Sequence, residues 1–215
     1  WRTIAAHLEA EGATPAVAAG RARAEGPSAL GASPFEREMR GIGVDLGVAA
    51  LRGEGAPAAR VKAVQAKMEE AAGANPSPEL LRLRAEAEAL EGKRGGRTAA
   101  KRAEDQDKRE RRRLVNDGWT LVIDAAAGLA ADALALAVGA PAAMRHADRA
   151  DDLRDVATPE RVPFLIHTIE HMQQARADLL LNPTVDLAAE AMLVRIDAAR
   201  HGDTGRIVPA GRLPY

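Results

Sequence analysis

The residues best spaced for chemistry are the two histidines of His167-Thr-Ile-Glu-His171. The HxxEH spacing sets two imidazoles one helical turn apart, the pattern of the inverted zinc metalloproteases, with Glu190 available downstream as a third ligand. A catalytic zinc needs a dry pocket whose neighbours orient its ligands. At about 100° per residue, both histidines fall far from an apolar stripe centred on Val162 and Ile169, so they are expected to point into solvent and to hold no metal. A second candidate is the basic run Lys108 to Arg113, in which Arg109, Arg111, Arg112 and Arg113 are each able to neutralise a phosphate. Acids interleaved from Glu104 to Glu110 offset that field, and the run holds no aromatic to stack on a base. It reads as a solvated face, with phosphate contact as the alternative.

Other catalytic constellations are missing. The chain has no cysteine, which excludes disulfides, thiol nucleophiles and cysteine-ligated zinc or iron–sulfur sites. Gly92-Lys93-Arg94-Gly95-Gly96 lacks the first glycine and the hydroxyl of a phosphate-binding loop, and no serine sits in a GxSxG elbow. Asp151 and Asp152 are adjacent, so on a helix they splay apart. No catalytic residue and no cofactor is assigned to this chain.

The elements that carry these residues follow from composition. The 215 residues include 30 Lys and Arg against 31 Asp and Glu, a net charge of -1, so no global imbalance recruits nucleic acid or an anionic membrane. Hydrophobic residues make up 47%, largely alanine, and aromatics only 2%, which implies a thin helical core. No run alternates with a period of two, and the chain is expected to be all-α. It opens at Trp1 with no apolar leader, and reads as part of an intracellular protein.

Helices are expected from Thr3 to Gly12 and from Thr14-Pro15 toward Gly26, then a weak, hinge-like stretch through the glycines at 41, 43, 47, 53 and 55. Pro57 to Gly73 and Pro78 to Gly92 read as a hairpin in which Val61, Val64, Met68 and Ala72 face Leu80, Leu83, Ala87 and Leu90. Lys93 to Arg113 holds ten basic and four acidic residues without an apolar stripe, as a solvated helix or a tether would. Three longer helices follow. The first is apolar over about 22 residues from Trp119 to Ala140, long enough to test as a membrane span, but Asp124 and Asp132 interrupt it, both away from Trp119. It reads as a soluble amphipathic helix. Thr158-Pro159-Glu160 opens the second, and Asn182, followed by Pro183, caps the third. There Val185, Ala188, Ala189, Met192 and Ile196 form one face while Leu187 and Val194 make the other apolar too, so this helix is expected to be central and buried.

Four stretches together resemble a known family. Trp1 to Gly31 is similar to the end of a small lid domain with its "gvdP" turn and "GhiGrA" segment, and Pro57 to Arg113 resembles a charged hairpin and arginine-rich connector. Ala142 to Ala150, with His146-Ala-Asp148, looks like a "vnpD" stretch, and Leu179-Leu-Leu-Asn182-Pro183 through Leu193 is similar to a closing "LdaNvnprLalEaLll" signature. The family is the delta-prime subunit of bacterial DNA polymerase III, in its high-GC Gram-positive form, and the resemblance covers its C-terminal part. Ser28-Ala29-Leu30 stands where the lid motif would carry an arginine, so no nucleotide contact is expected.

The resemblance implies a lid-domain remnant at 1–52, a charged hairpin and linker at 53–113, a helical collar domain at 114–200 and a flexible tail at 201–215. It implies a cytoplasmic, non-catalytic subunit of the polymerase holoenzyme, a nucleotidyltransferase assembly. Its partners would be the other clamp-loader subunits of a hetero-oligomeric ring, with DNA and the sliding clamp reached through the complex and no membrane. Leu187, Val194 and Glu190 would then face a neighbouring subunit. The alternative is a free-standing helical interaction or nucleic-acid-associated protein that uses the basic connector.

Overall fold

The computed structural model describes residues 32–181 and 184–202, with isolated positions at 5, 6, 9 and 15. The lid-like segment, the Asn182 cap and the tail therefore lie largely or wholly outside the described residues. All regular structure among the described residues is helical: α1 (Pro34–Arg52), α2 (Pro57–Ala74), α3 (Pro78–Ala89), α4 (Gly96–Ala137), the single turn α5 (Ala150–Leu153), α6 (Val162–Leu181) and α7 (Val185–Arg200).

The first helix corrects the expectation of a hinge. Ser33 and Glu36 form a reciprocal capping box, the Glu36 amide donating to Ser33 Oγ at 3.1 Å and the Ser33 amide to Glu36 at 2.7 Å. Pro34 occupies the first turn, where its missing N–H is not needed. Gly43 and Gly47, one turn apart, are the points where α1 meets α4. A Cβ on Gly43 would lie 2.3 Å from the Val122 carbonyl oxygen, and one on Gly47 would lie 3.0 Å from Leu129 Cδ2. Glycine here permits close helix contact. Only at Gly53, where φ is +74°, does it terminate the helix.

The central element is α4, whose C-terminal half buries Trp119, Val122, Ile123, Ala126, Leu129, Ala130 and Ala133 against α1 and α6. By length and composition alone this stretch could cross a membrane, yet half of it is buried inside the fold. Length and composition of this kind are shared by membrane spans and by the core helices of water-soluble folds. The expected boundary between 113 and 114 falls within this one continuous helix, and a single apolar core runs from Phe35 through Trp119 to Ala199.

The hairpin is also re-paired. α3 packs on the N-terminal half of α4 and not chiefly on α2. Ala99 and Ala103 of α4, and Leu80 of α3, are the buried residues of this pairing, so the charged stretch does carry an apolar seam, made of alanine. Val61, Val64, Met68 and Ala72 instead face the body, where α2 meets α1, α4 and α7. Arg60, 7% exposed, fastens α2 to α7 by reaching Asp197 at 3.2 Å and the carbonyls of Glu54 and Gly55 at 2.7 and 2.6 Å.

Candidate functional site

The two histidines are split by the fold. His167 keeps a half-buried side chain with Nδ1 3.1 Å from Glu170, whereas His171 is only 4% exposed and its Nδ1 has no partner among the described residues. The expectation that both point into solvent is therefore wrong for His171. Leu165, Thr168, Met172 and Ala175 are the buried line of α6, while Ile166 is exposed and Val162 and Ile169 are half-buried. The inward face is thus turned by about 90° from the stripe read in the sequence, at about 100° per residue. α7 packs against α6, and its Arg195 lies near enough for its charge to act on His171. No group of three or more His, Asp or Glu among the described residues is placed to hold a metal ion, and Glu190 does not join the histidines.

Burial, with a smaller contribution from the Arg195 and His167 charges, pushes the His171 imidazole below its usual value, against the opposing pull of Glu170. The folded state thus binds fewer protons than the unfolded state as pH falls through the ordinary histidine range. Stability is fully present above about pH 6.5 and declines as pH falls from there through the lower folded value. The melting temperature is expected to fall between about pH 7.5 and 5.5, and His171→Leu to flatten that interval. An unchanged slope in the variant would assign the dependence to another group.

The sequence reading missed a site at Asp132. It does lie on the side of α4 away from Trp119, but that side is roofed by the segment after the helix and the carboxylate is 2% exposed. It accepts from the backbone amides of Arg145 and His146, both at 2.8 Å, and His146 Nδ1 stands 2.7 Å away. A carboxylate only accepts, so Nδ1 carries the proton of that contact. The arrangement ties residues 145–146 down on α4, with Gly128 leaving room beside the ring. Asp124, by contrast, remains at the surface and pairs with Arg176 of α6 at 2.6 Å.

The last helix was expected to be central, and it lies at the surface. Val185, Ala189, Met192, Leu193 and Ile196 are buried against α6, α2 and α1. Leu187 is 63% exposed and Val194 50% exposed. With exposed Ala191 between them and half-buried Glu190 alongside, they form an apolar strip about 10 Å long at 1.5 Å rise per residue.

The four arginines of the basic run also part. Arg111 is bonded to Asp107 at 3.0 Å and lies over Gly73, while Arg109, Arg112 and Arg113 are exposed. Arg109 donates to the Asp105 carbonyl on its own helix at 3.1 Å. Lys108, Arg109 and Arg112 line a shallow groove of about 380 Å³ with Asp105.

Comparison with protein-family models, with curated proteins and with solved structures finds no match to this chain.

Proposed function

We propose that the chain is a non-catalytic helical subunit of the DNA polymerase III clamp loader, which joins its ring through the C-terminal helices. The reading is supported by the resemblance of the closing stretch from Leu179 to Leu193, and the observation that carries it is the exposed apolar strip Leu187, Ala191 and Val194 on α7. A helix whose inner face is fully buried gains nothing within its own fold from two large apolar side chains on the outer face. Such a strip, flanked by Glu190 and Arg195, has the apolar centre and polar rim of a subunit contact. On this reading the partners are the other clamp-loader subunits in the cytoplasm, DNA and the sliding clamp are met by the complex, and the chain holds no cofactor.

The test is the pair Leu187→Asp and Val194→Asp together. Both side chains are half or more exposed, so the isolated variant is expected to keep its helical circular dichroism and its melting temperature. In a reconstituted clamp loader it is expected to be excluded from the ring on size-exclusion chromatography, because charge would be forced into an apolar contact. A folded variant that assembles normally would overturn the proposal.

A further inference from the structure

α4 runs without interruption from Gly96, and its first five turns project a set of cations on one side. In the sequence those cations alternate with acids. In the fold the two are sorted. Asp107 is turned toward α3 and held by Arg84 at 3.2 Å and Arg111 at 3.0 Å. Glu110 accepts from the Ser77 amide at 3.3 Å, the Ser77 hydroxyl and the Gln106 amide, bonds that hold its carboxyl below the usual range against the opposing effect of burial. Glu104 is taken by Lys108. On a helical projection at about 100° per residue, Arg97, Lys101 and Arg102 share an arc of about 160° with Lys108, Arg109, Arg112 and Arg113, and the acid within that arc is Asp105. Arg97, Lys101, Arg102, Arg112 and Arg113 make no ion pair among the described residues.

The same sorting appears along the chain. Residues 93–113 hold ten cations and four acids, a balance of +6, and residues 114–200 hold seven cations and thirteen acids, a balance of -6. A near-neutral protein is thus strongly dipolar, with its positive end on a rigid rod about 24 Å long from Arg97 to Arg113 at 1.5 Å rise per residue.

The chemistry of the arc selects its ligand. No large apolar side chain stands on it, and the alanines at 99 and 103 are buried against α3. Stable anchoring on an anionic membrane takes an apolar signal beside the charges, and a protein partner an apolar interface core. With no aromatic in the arc, stacking on the bases of a single strand has no platform. A straight array of guanidinium and ammonium groups without either feature fits the phosphodiester backbone of a duplex, which carries about one charge per 1.7 Å of axis. We infer that the arc from Arg97 to Arg113 is a sequence-independent contact for the backbone of duplex nucleic acid, seated at the groove of Lys108, Arg109 and Arg112. The contact belongs to this chain alone and stands apart from ring assembly through α7.

The experiment is fluorescence anisotropy of a labelled random-sequence 30-base-pair DNA duplex titrated with the full chain at several potassium chloride concentrations. Wild type is expected to bind with a log–log salt slope of about -3 to -4, since each neutralised phosphate contributes about -0.9. Arg109→Ala, Arg112→Ala and Arg113→Ala combined is expected to lower affinity at least about tenfold at 50 mM salt and to reduce the slope by about 2.7. Circular dichroism should be unchanged, because none of the three side chains is buried. The Leu187→Asp, Val194→Asp protein should bind duplex as wild type does, which separates this contact from the assembly reading. No binding at 50 mM salt, a triple variant with wild-type slope, or displacement of the duplex by poly-glutamate at matched charge would overturn the inference.

Discussion

Gly43→Ala is expected to destabilise the protein by about 3 kcal/mol, the upper end of the cost of overfilling a packed contact. The added methyl would sit 2.3 Å from the Val122 carbonyl oxygen and 2.7 Å from Ala125 Cβ, and both belong to the neighbouring helix. Backbone cannot rotate aside as a side chain can, so α1 must lift from α4 and open the contacts that Phe35, Met39 and Leu51 make in the core. Gly41, two residues earlier on the same helix, is the control. A Cβ there meets nothing within 4 Å, and Gly41→Ala should stabilise by about 0.5–1 kcal/mol through backbone entropy alone. Urea unfolding of the two variants checks the pair. Equal midpoints would mean that α1 and α4 do not approach through glycine.

The second large effect is at Asp132. Asp132→Ala should cost about 2–4 kcal/mol, because two backbone amides and the His146 ring lose a common acceptor whose own carboxylate is 2% exposed. Asp132→Asn keeps an oxygen acceptor but sets an amide NH2 against at least one of the same donors, and should cost about 1–3 kcal/mol. His146→Ala leaves the amide bonds intact and should cost less than either. Thermal unfolding should therefore rank Asp132→Ala as the least stable of the three variants, Asp132→Asn next and His146→Ala nearest to wild type. If Asp132→Ala melts within about two degrees of wild type, the segment carrying residues 145 and 146 is held by something other than this carboxylate.

Several helix ends were written locally and were read: Pro57, Pro78 and Pro159 stand in first turns and Gly139 follows the end of α4. The Ser33–Pro34 start of α1, read as loop and hinge, and the Ser77 cap were not. The inner face of α7 was legible as well, since Met192 and Ile196 repeat at helical spacing and are both buried. Where apolar residues surround a helix on several sides, periodicity loses its direction. α6 shows this, with Ile166 outside and Thr168 and His171 inside. Its orientation was set by having α4 on one side and α7 on another, which no window of its own residues records.

What the amino-acid sequence determined by itself is the all-helical class, several helix ends and the lack of cysteine or phosphate-loop chemistry, because capping, proline placement and residue type act over a few positions. Tertiary structure alone decided which side of each helix is inside. Gly43 and Gly47 read as breaks until α4 supplies the backbone they approach, and Asp132 reads as a surface residue until the segment at 145–146 covers it. The charged run of α4 reads as self-cancelling until α3 and Ser77 draw Asp107 and Glu110 to one side and leave the cations on the other. In each case the deciding contact comes from residues at least 13 positions away, beyond the reach of any local period.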